Sequence, residues 1–312
     1  MTRTEICFQY RASLLGLAIG DALGTPVEFM LPGTFEPVTS FRSGGRFNLD
    51  PGHWTDDTSM ALCLAESLIE CNGFDPKDQM DRYLKWVKDG YLSSTGYCFD
   101  IGQTCSRALA NYRFTGGPFS GPTHERSAGN GSLMRLVPIP LFYFNDPEKA
   151  IYFAGESSRT THGAPEAIDA CRYYCGLITG ALQGVSKEDL LSPLYCPVPH
   201  MWEKEALAPR IEKMARGSYK QKELTEIVGS GYVVRSMEAA LWAFYTTDRF
   251  RDGALLAVNL GNDADTTGAI YGQLAGAFYG LEGIPEEWIN GVYARDMILS
   301  YAEKLFKASI PN

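Results

Sequence analysis

An all-α fold is predicted by three features of this 312-residue sequence. Apolar residues recur at helical spacing over most of the chain, and period-two alternation bounded by tight-turn pairs is nearly absent. The stretch Ala269-Ile270-Tyr271-Gly272-Gln273-Leu274-Ala275-Gly276-Ala277-Phe278 is apolar almost all round. A helix of that kind belongs at the centre of a large bundle, and its glycines permit close helix contacts.

The clearest helices follow in order. Tyr10 to Ala22 carries an apolar run, and Ser59 to Glu70 follows the acidic cluster Thr55-Asp56-Asp57-Thr58. Pro76 to Lys88 comes next, then Ile101 to Tyr112 just past Phe99-Asp100, and Ser132 to Phe142 just past Gly129-Asn130-Gly131. Pro165 to Leu182 places Cys171 and Cys175 on one face, and Tyr232 to Thr246 and Ala254 to Leu260 precede a last helix over Thr267 to Tyr279. Between Phe29 and Trp54, and between Asn111 and Gly131, the chain is rich in Gly, Pro and aromatics without periodicity. Long irregular segments of this kind are usually functional loops. No repeat, low-complexity tract or composition break marks a linker, so residues 1–312 are expected to form one domain.

Composition narrows the function. With 45% hydrophobic and 21% charged residues the chain can bury a large core, and a net charge of −9 argues against general nucleic-acid or anionic-membrane binding. The most apolar N-terminal run, Leu14 to Leu23, is broken by Gly16, Gly20 and Asp21, so neither a membrane span nor a signal peptide is expected. The 8 cysteines show no zinc-knuckle or redox spacing and read as free thiols in a reducing cytoplasm.

Two acidic clusters carry the chemistry. Thr55-Asp56-Asp57-Thr58 and Asp263-Ala264-Asp265-Thr266-Thr267 each stand immediately before an apolar helical run. One Thr or Asp in such a place is an N-cap. Capping needs one such residue, whereas these clusters offer many oxygens, the hard ligands that Mg²⁺ and Mn²⁺ prefer. Asp263 and Asp265 stand two apart, so they diverge within a helix and converge in the turn that enters one. The clusters read as two halves of one metal site.

Around them the motifs Gly16-Leu17-Ala18-Ile19-Gly20-Asp21-Ala22-Leu23-Gly24 with Glu28, Thr55-Asp56-Asp57-Thr58, Phe99-Asp100-Ile101-Gly102, Gly129-Asn130-Gly131-Ser132-Leu133-Met134-Arg135, Thr161-His162, Tyr232 and Asn262-Asp263-Ala264-Asp265-Thr266-Thr267-Gly268 occur in order over nearly the whole chain. In this ordered set the sequence resembles the ADP-ribosylglycohydrolase family. The resemblance implies a compact orthogonal multi-helix bundle. It also implies a two-metal centre of Mg²⁺ or Mn²⁺ ligated by Thr55, Asp56, Asp57, Asp263, Asp265 and Thr266, facing the ribose that is linked to the target.

By the same resemblance Asp100 is the first candidate for proton transfer and Glu28 the second. Gly129-Asn130-Gly131, with Ser127, Ser132 and Gly102, corresponds to a pyrophosphate and ribose loop, and His162 lies near the phosphates or ribose unless it is structural. Tyr232 corresponds to a position that packs on adenine, with core packing as the alternative. Ala164 replaces a second histidine of the nitrogenase-regulating members, and the segment Asp89 to Tyr97 is longer than theirs, so their protein target does not carry over. The expected activity is metal-dependent release of ADP-ribose from a side chain, N-linked ADP-ribosylarginine first. The alternatives are O-linked serine or small-molecule conjugates, and a non-catalytic ADP-ribose-binding or structural protein. The expected partners are ADP-ribose and an ADP-ribosylated protein, and the expected state is a cytoplasmic monomer.

Overall fold

A computed structural model describes residues 2–309. Among them are fifteen α-helices, several 3₁₀ turns and no strand. The helices are α1 Arg3–Gly24, α2 Asp56–Glu70, α3 Pro76–Asp89, α4 Gln103–Thr115, α5 Pro138–Phe142, α6 Pro147–Thr161, α7 Pro165–Leu182, α8 Lys187–Leu190, α9 Met201–Lys204, α10 Pro209–Ala215, α11 Val233–Thr246, α12 Phe250–Val258, α13 Ala264–Tyr279, α14 Glu286–Gly291 and α15 Arg295–Ser309. None is long and apolar enough to cross a membrane.

At the centre α1 and α13 run antiparallel with their backbones in contact. A Cβ on Gly20 would lie 2.0 Å from the Gly268 carbonyl oxygen, and one on Gly24 would lie 2.3 Å from the Asp265 nitrogen. Only glycine permits this approach. As a result the C-terminal end of α1 meets the N-terminal end of α13, and α2, α7, α12 and α15 pack around the pair over a continuous buried core.

Helix boundaries follow local chemistry. The Asp75 side chain accepts from the Lys77 and Asp78 nitrogens with Pro76 in the first turn, and α3 stops at Gly90 with φ +65°. The Asp146 side chain starts α6 in the same way, followed by Pro147. The expectation of a helix over Ser132 to Phe142 is corrected: the helix begins only at Pro138. Pro138 and Pro140 lack the N–H groups that would bond back into the 132–136 turns. The buried Gln273 side chain of α13 compensates, donating to the Leu133 and Met134 carbonyls at 3.1 and 2.8 Å and accepting from the Val137 nitrogen at 2.8 Å.

Candidate active site

Asp21, fully buried on α1, organises the entrance of α2. Its carboxylate accepts the Thr55 N–H at 2.9 Å, the Thr58 N–H at 3.1 Å and the Thr58 hydroxyl at 2.6 Å. A residue of another helix thus satisfies the orphan donors that an N-cap side chain would otherwise take. Thr55, the N-cap, makes no side-chain cap bond of its own. Its hydroxyl lies 3.0 Å from Asp21 Oδ1, 3.3 Å from Asp57 Oδ2 and 3.4 Å from Asp265 Oδ2. The sequence alone assigns Asp21 no site role, and its one signal is a carboxylate inside an apolar run, a group that cannot be buried without partners.

The second cluster meets the first. Asp263 precedes α13 without capping it, and its Oδ2 instead accepts from Asn130 Nδ2 at 2.6 Å. The Thr266 hydroxyl lies 3.4 Å from Asp57 Oδ2. Two backbone bonds tie the loop after α1 to the turn before α13: Phe29 N–H to the Asn262 carbonyl at 2.5 Å, and Asn262 N–H to the Met30 carbonyl at 2.7 Å. They carry Glu28 to the cluster, and Asp100, at φ +55°, lines the same cleft. Glu28, Asp100 and Asp265 each offer an oxygen within 4.8 Å of the others, an arrangement that could hold a metal ion.

Electrostatics calls for such an ion. Burial, reinforced by the neighbouring carboxylates, holds Asp56, Asp57 and Asp265 well above the usual carboxylate range. Burial and then Asp263 push Asp100 up to about 7, and burial raises Asp21 to about 6. Burial and then Asp265 push Glu28 up to about 12. The ion pairs of the described residues lie elsewhere, such as Arg82 with Glu66 and Arg172 with Asp169. Glu28 Oε2, Asp57 Oδ1 and Asp265 Oδ1 are buried without a partner. Unpaired, all-oxygen and helix-entrance donors together fit a hard divalent cation.

A pH signature follows from these shifts. A carboxylate whose folded pKa is raised favours the fold fully below the unfolded value near 4 and loses that contribution as pH rises through the folded value. Metal-free protein should therefore lose stability from pH 5 to 8, by up to about 1.4 kcal/mol per pH unit for each proton released. Added Mg²⁺ or Mn²⁺ should stabilise increasingly over the same interval, since it binds the ionised oxygens. Thermal melts with chelator and with metal test this, and parallel pH profiles in the two conditions would contradict it.

Above the carboxylates lies a cleft of about 220 Å³. Glu28, Asp56, Asp100 and Asp263 line it together with Gly102 and the Gly129–Gly131 loop. The N-terminus of α4 opens here at Gly102 with no side-chain cap, leaving N–H groups for an anion. The glycine loop is held by Arg135, a fully buried side chain that donates to the Gly131 carbonyl at 2.6 Å and to Thr161 Oγ1 at 2.7 Å. Arg135, too, is a residue to which the sequence alone assigns no site role. Asn130 N–H bonds the Gly231 carbonyl at 3.1 Å, and Val233 N–H bonds the Ala128 carbonyl at 3.0 Å.

His162 lines the cleft with its ring against the glycines, where a Cβ on Gly131 would lie 2.8 Å from Cε1. Burial, and then the Arg135 charge, lower its pKa to about 3, so the ring is neutral. The other expected residues stand apart from the cleft. The Ser127 hydroxyl donates to the Pro122 and His124 carbonyls. Ser132 faces the interior, accepting from the Ser158 hydroxyl at 2.8 Å. Tyr232 bonds Glu166 and Arg210 at 2.5 and 2.9 Å and borders a separate hollow of about 750 Å³.

The model of the ADP-ribosylglycohydrolase family matches residues 3–312. The chain belongs to the ADP-ribosylglycohydrolase family. It is 40% identical over 296 residues to the ADP-ribosylarginine hydrolase Tri1 of Serratia proteamaculans, a match covering 95% of this chain and 78% of that protein. It is 32% identical to the ADP-ribosyl-[dinitrogen reductase] glycohydrolase of Rhodospirillum rubrum, covering 93% of this chain and 92% of that one. A solved structure described as an ADP-ribosylglycohydrolase-related protein complex superposes with a TM-score of 0.86 at 43% identity, covering 98% of this chain and 100% of its counterpart. This member of the family thus shares its helical frame with that solved structure over nearly its whole length.

Proposed function

We propose that the protein hydrolyses the N-glycosidic bond of ADP-ribosylarginine on a modified protein and releases ADP-ribose. The observation that carries this reading is the convergence of Thr55, Asp57, Asp265 and Thr266, with Asp100 and Glu28, beneath one cleft. The 40% identity to an ADP-ribosylarginine hydrolase supports the linkage. Two divalent cations, Mg²⁺ or Mn²⁺, would be held by Thr55, Asp56, Asp57, Asp263, Asp265 and Thr266, and when bound they supply charge neutralisation and a template for the ribose diol.

The chain's own groups do the rest. The α4 N-terminus offers N–H groups to the diphosphate, and the neutral His162 ring adds no charge there. As the bond from the anomeric carbon to the guanidine nitrogen breaks, water oxygen takes the nitrogen's place on carbon. Asp100 or Glu28, which face the cleft together, takes the water's proton and a proton is passed on to the departing nitrogen, so the carboxyl groups end the cycle as they began it. Buried free thiols and the absence of a membrane-length helix among the described residues suit action in the cytoplasm.

Purified protein with Mg²⁺ or Mn²⁺ should release ADP-ribose from ADP-ribosylarginine. Asp100→Asn should lower turnover by about 100-fold or more while calorimetric ADP-ribose affinity largely survives. Failure to turn over arginine-linked, serine-linked and small-molecule substrates would remove the enzyme reading altogether.

A further inference from the structure

We infer that Phe29 is a specificity-determining residue, its ring face receiving the substrate's guanidinium at the mouth of the cleft; this rests on the ADP-ribosylarginine reading above. Phe29 directly follows Glu28 and lines the same cleft as Asp100. Phe29 is 53% exposed, although Val27 and Glu28 just before it are buried, so core packing does not account for a large aromatic here.

The backbone holds that ring in a definite place. Phe29 has φ +62°, a left-handed conformation that bulky residues rarely adopt. The two bonds to and from Asn262 enforce it, at 2.5 and 2.7 Å. Strain of this kind persists where its surroundings over-determine it, commonly beside functional sites. The same turn that carries Glu28 to the cluster therefore fixes the direction of the Phe29 ring.

A guanidinium already demonstrates the fit. Arg46 lies over the Phe29 ring at 4.9 Å from the centroid, and its charge is felt at Asp100. A π face beside carboxylates is an environment suited to a planar cation. Arg46 is exposed, so an incoming guanidinium can exchange with it at little cost. Arginine-linked ADP-ribose presents a guanidinium at this point, whereas a serine linkage presents a neutral oxygen, and only the former gains from the ring.

The test compares wild type with Phe29→Leu, which keeps apolar bulk, and with Phe29→Tyr, which keeps the π face. For ADP-ribosylarginine, kcat/KM should fall about 3- to 30-fold in Phe29→Leu and return to within about 2-fold of wild type in Phe29→Tyr, the range of a partly desolvated cation–π contact. Competitive inhibition by methylguanidine should weaken in step, while the Kd for ADP-ribose and the melting temperature stay near wild type. A Phe29→Leu enzyme as efficient as wild type overturns this inference alone, and so does an equal loss of ADP-ribose affinity, which would mean that the ring only holds the loop. A wild-type enzyme that ignores arginine-linked substrate while cleaving serine-linked substrate overturns both the linkage and the role of Phe29.

Discussion

Asp265→Ala is expected to reduce ADP-ribosylarginine turnover by more than about 100-fold, the upper end of what the loss of a mere outer-shell partner costs a metal site. Asp265 is where the halves of the centre meet: Oδ2 lies 3.4 Å from the Thr55 hydroxyl, and Oδ1 is buried without a partner. It also shares the three-carboxylate cluster with Glu28 and Asp100. The stability effect should change sign with metal. In chelator the wild-type protein buries these acids together without counter-charge, so removing one relieves desolvation and repulsion and the variant should melt no lower than wild type. In Mg²⁺ the wild type gains stability by mass action, and the variant should lose most of that gain. Asp57→Ala should behave likewise, since Asp57 Oδ2 lies beside both the Thr55 and Thr266 hydroxyls. Equal metal-dependent melting shifts in wild type and both variants would show that the clusters do not share an ion.

The distances explain which parts of this site were legible in the sequence. Thr55, Asp57, Asp265 and Thr266 could be read as one centre because each cluster holds more oxygen than one helix entrance can use, and surplus oxygen is a local property. Asp21 and Arg135 act across the fold, one on the α2 entrance and the other on the glycine loop. Locally the sequence shows only that such a buried polar group needs partners, and not which distant ones it takes. Ser132 and Tyr232 show the converse: their neighbours in sequence line the cleft, yet their own side chains turn to Ser158 and to Glu166. The same division holds for the helices. α1, α7 and α13 are legible from long, nearly unbroken apolar runs, whereas α6 and α15 are more polar overall and bury only one stripe each, so they stand outside the helices expected from the sequence. Their signals were partly present, in Asp146-Pro147 for α6. The Ser132 to Phe142 expectation weighed apolar spacing above Pro138 and Pro140, and the backbone obeyed the prolines.

Gly20→Ala should be strongly damaging for a single added methyl. In an open helix this change stabilises by about 1 kcal/mol through propensity. Here the new Cβ would stand 2.0 Å from the Gly268 oxygen and 2.9 Å from the Ala269 nitrogen, rigid backbone that cannot yield as a side chain would. The helices must separate, and overpacking of this kind costs about 3 kcal/mol or more, which outweighs the propensity gain. Thermal melting should fall by roughly 5–10 °C. Gly176→Ala on α7 is the control: its Cβ would meet Pro197 and Ile151 only at 3.4 and 3.8 Å, so propensity should prevail and stability hold or rise. The consequence extends to chemistry because Asp21 is the next residue after Gly20. A shift of α1 away from α13 moves the acceptor that holds Thr55 and Thr58, and it also widens the gap between Asp21 and the Asp265 entrance. Any folded Gly20→Ala protein should therefore bind Mg²⁺ or Mn²⁺ more weakly than wild type, though no ligand has changed. A variant that melts like wild type and binds metal equally well would show that the α1 and α13 backbones are free to separate, and that their close contact does not set the geometry of the acidic centre.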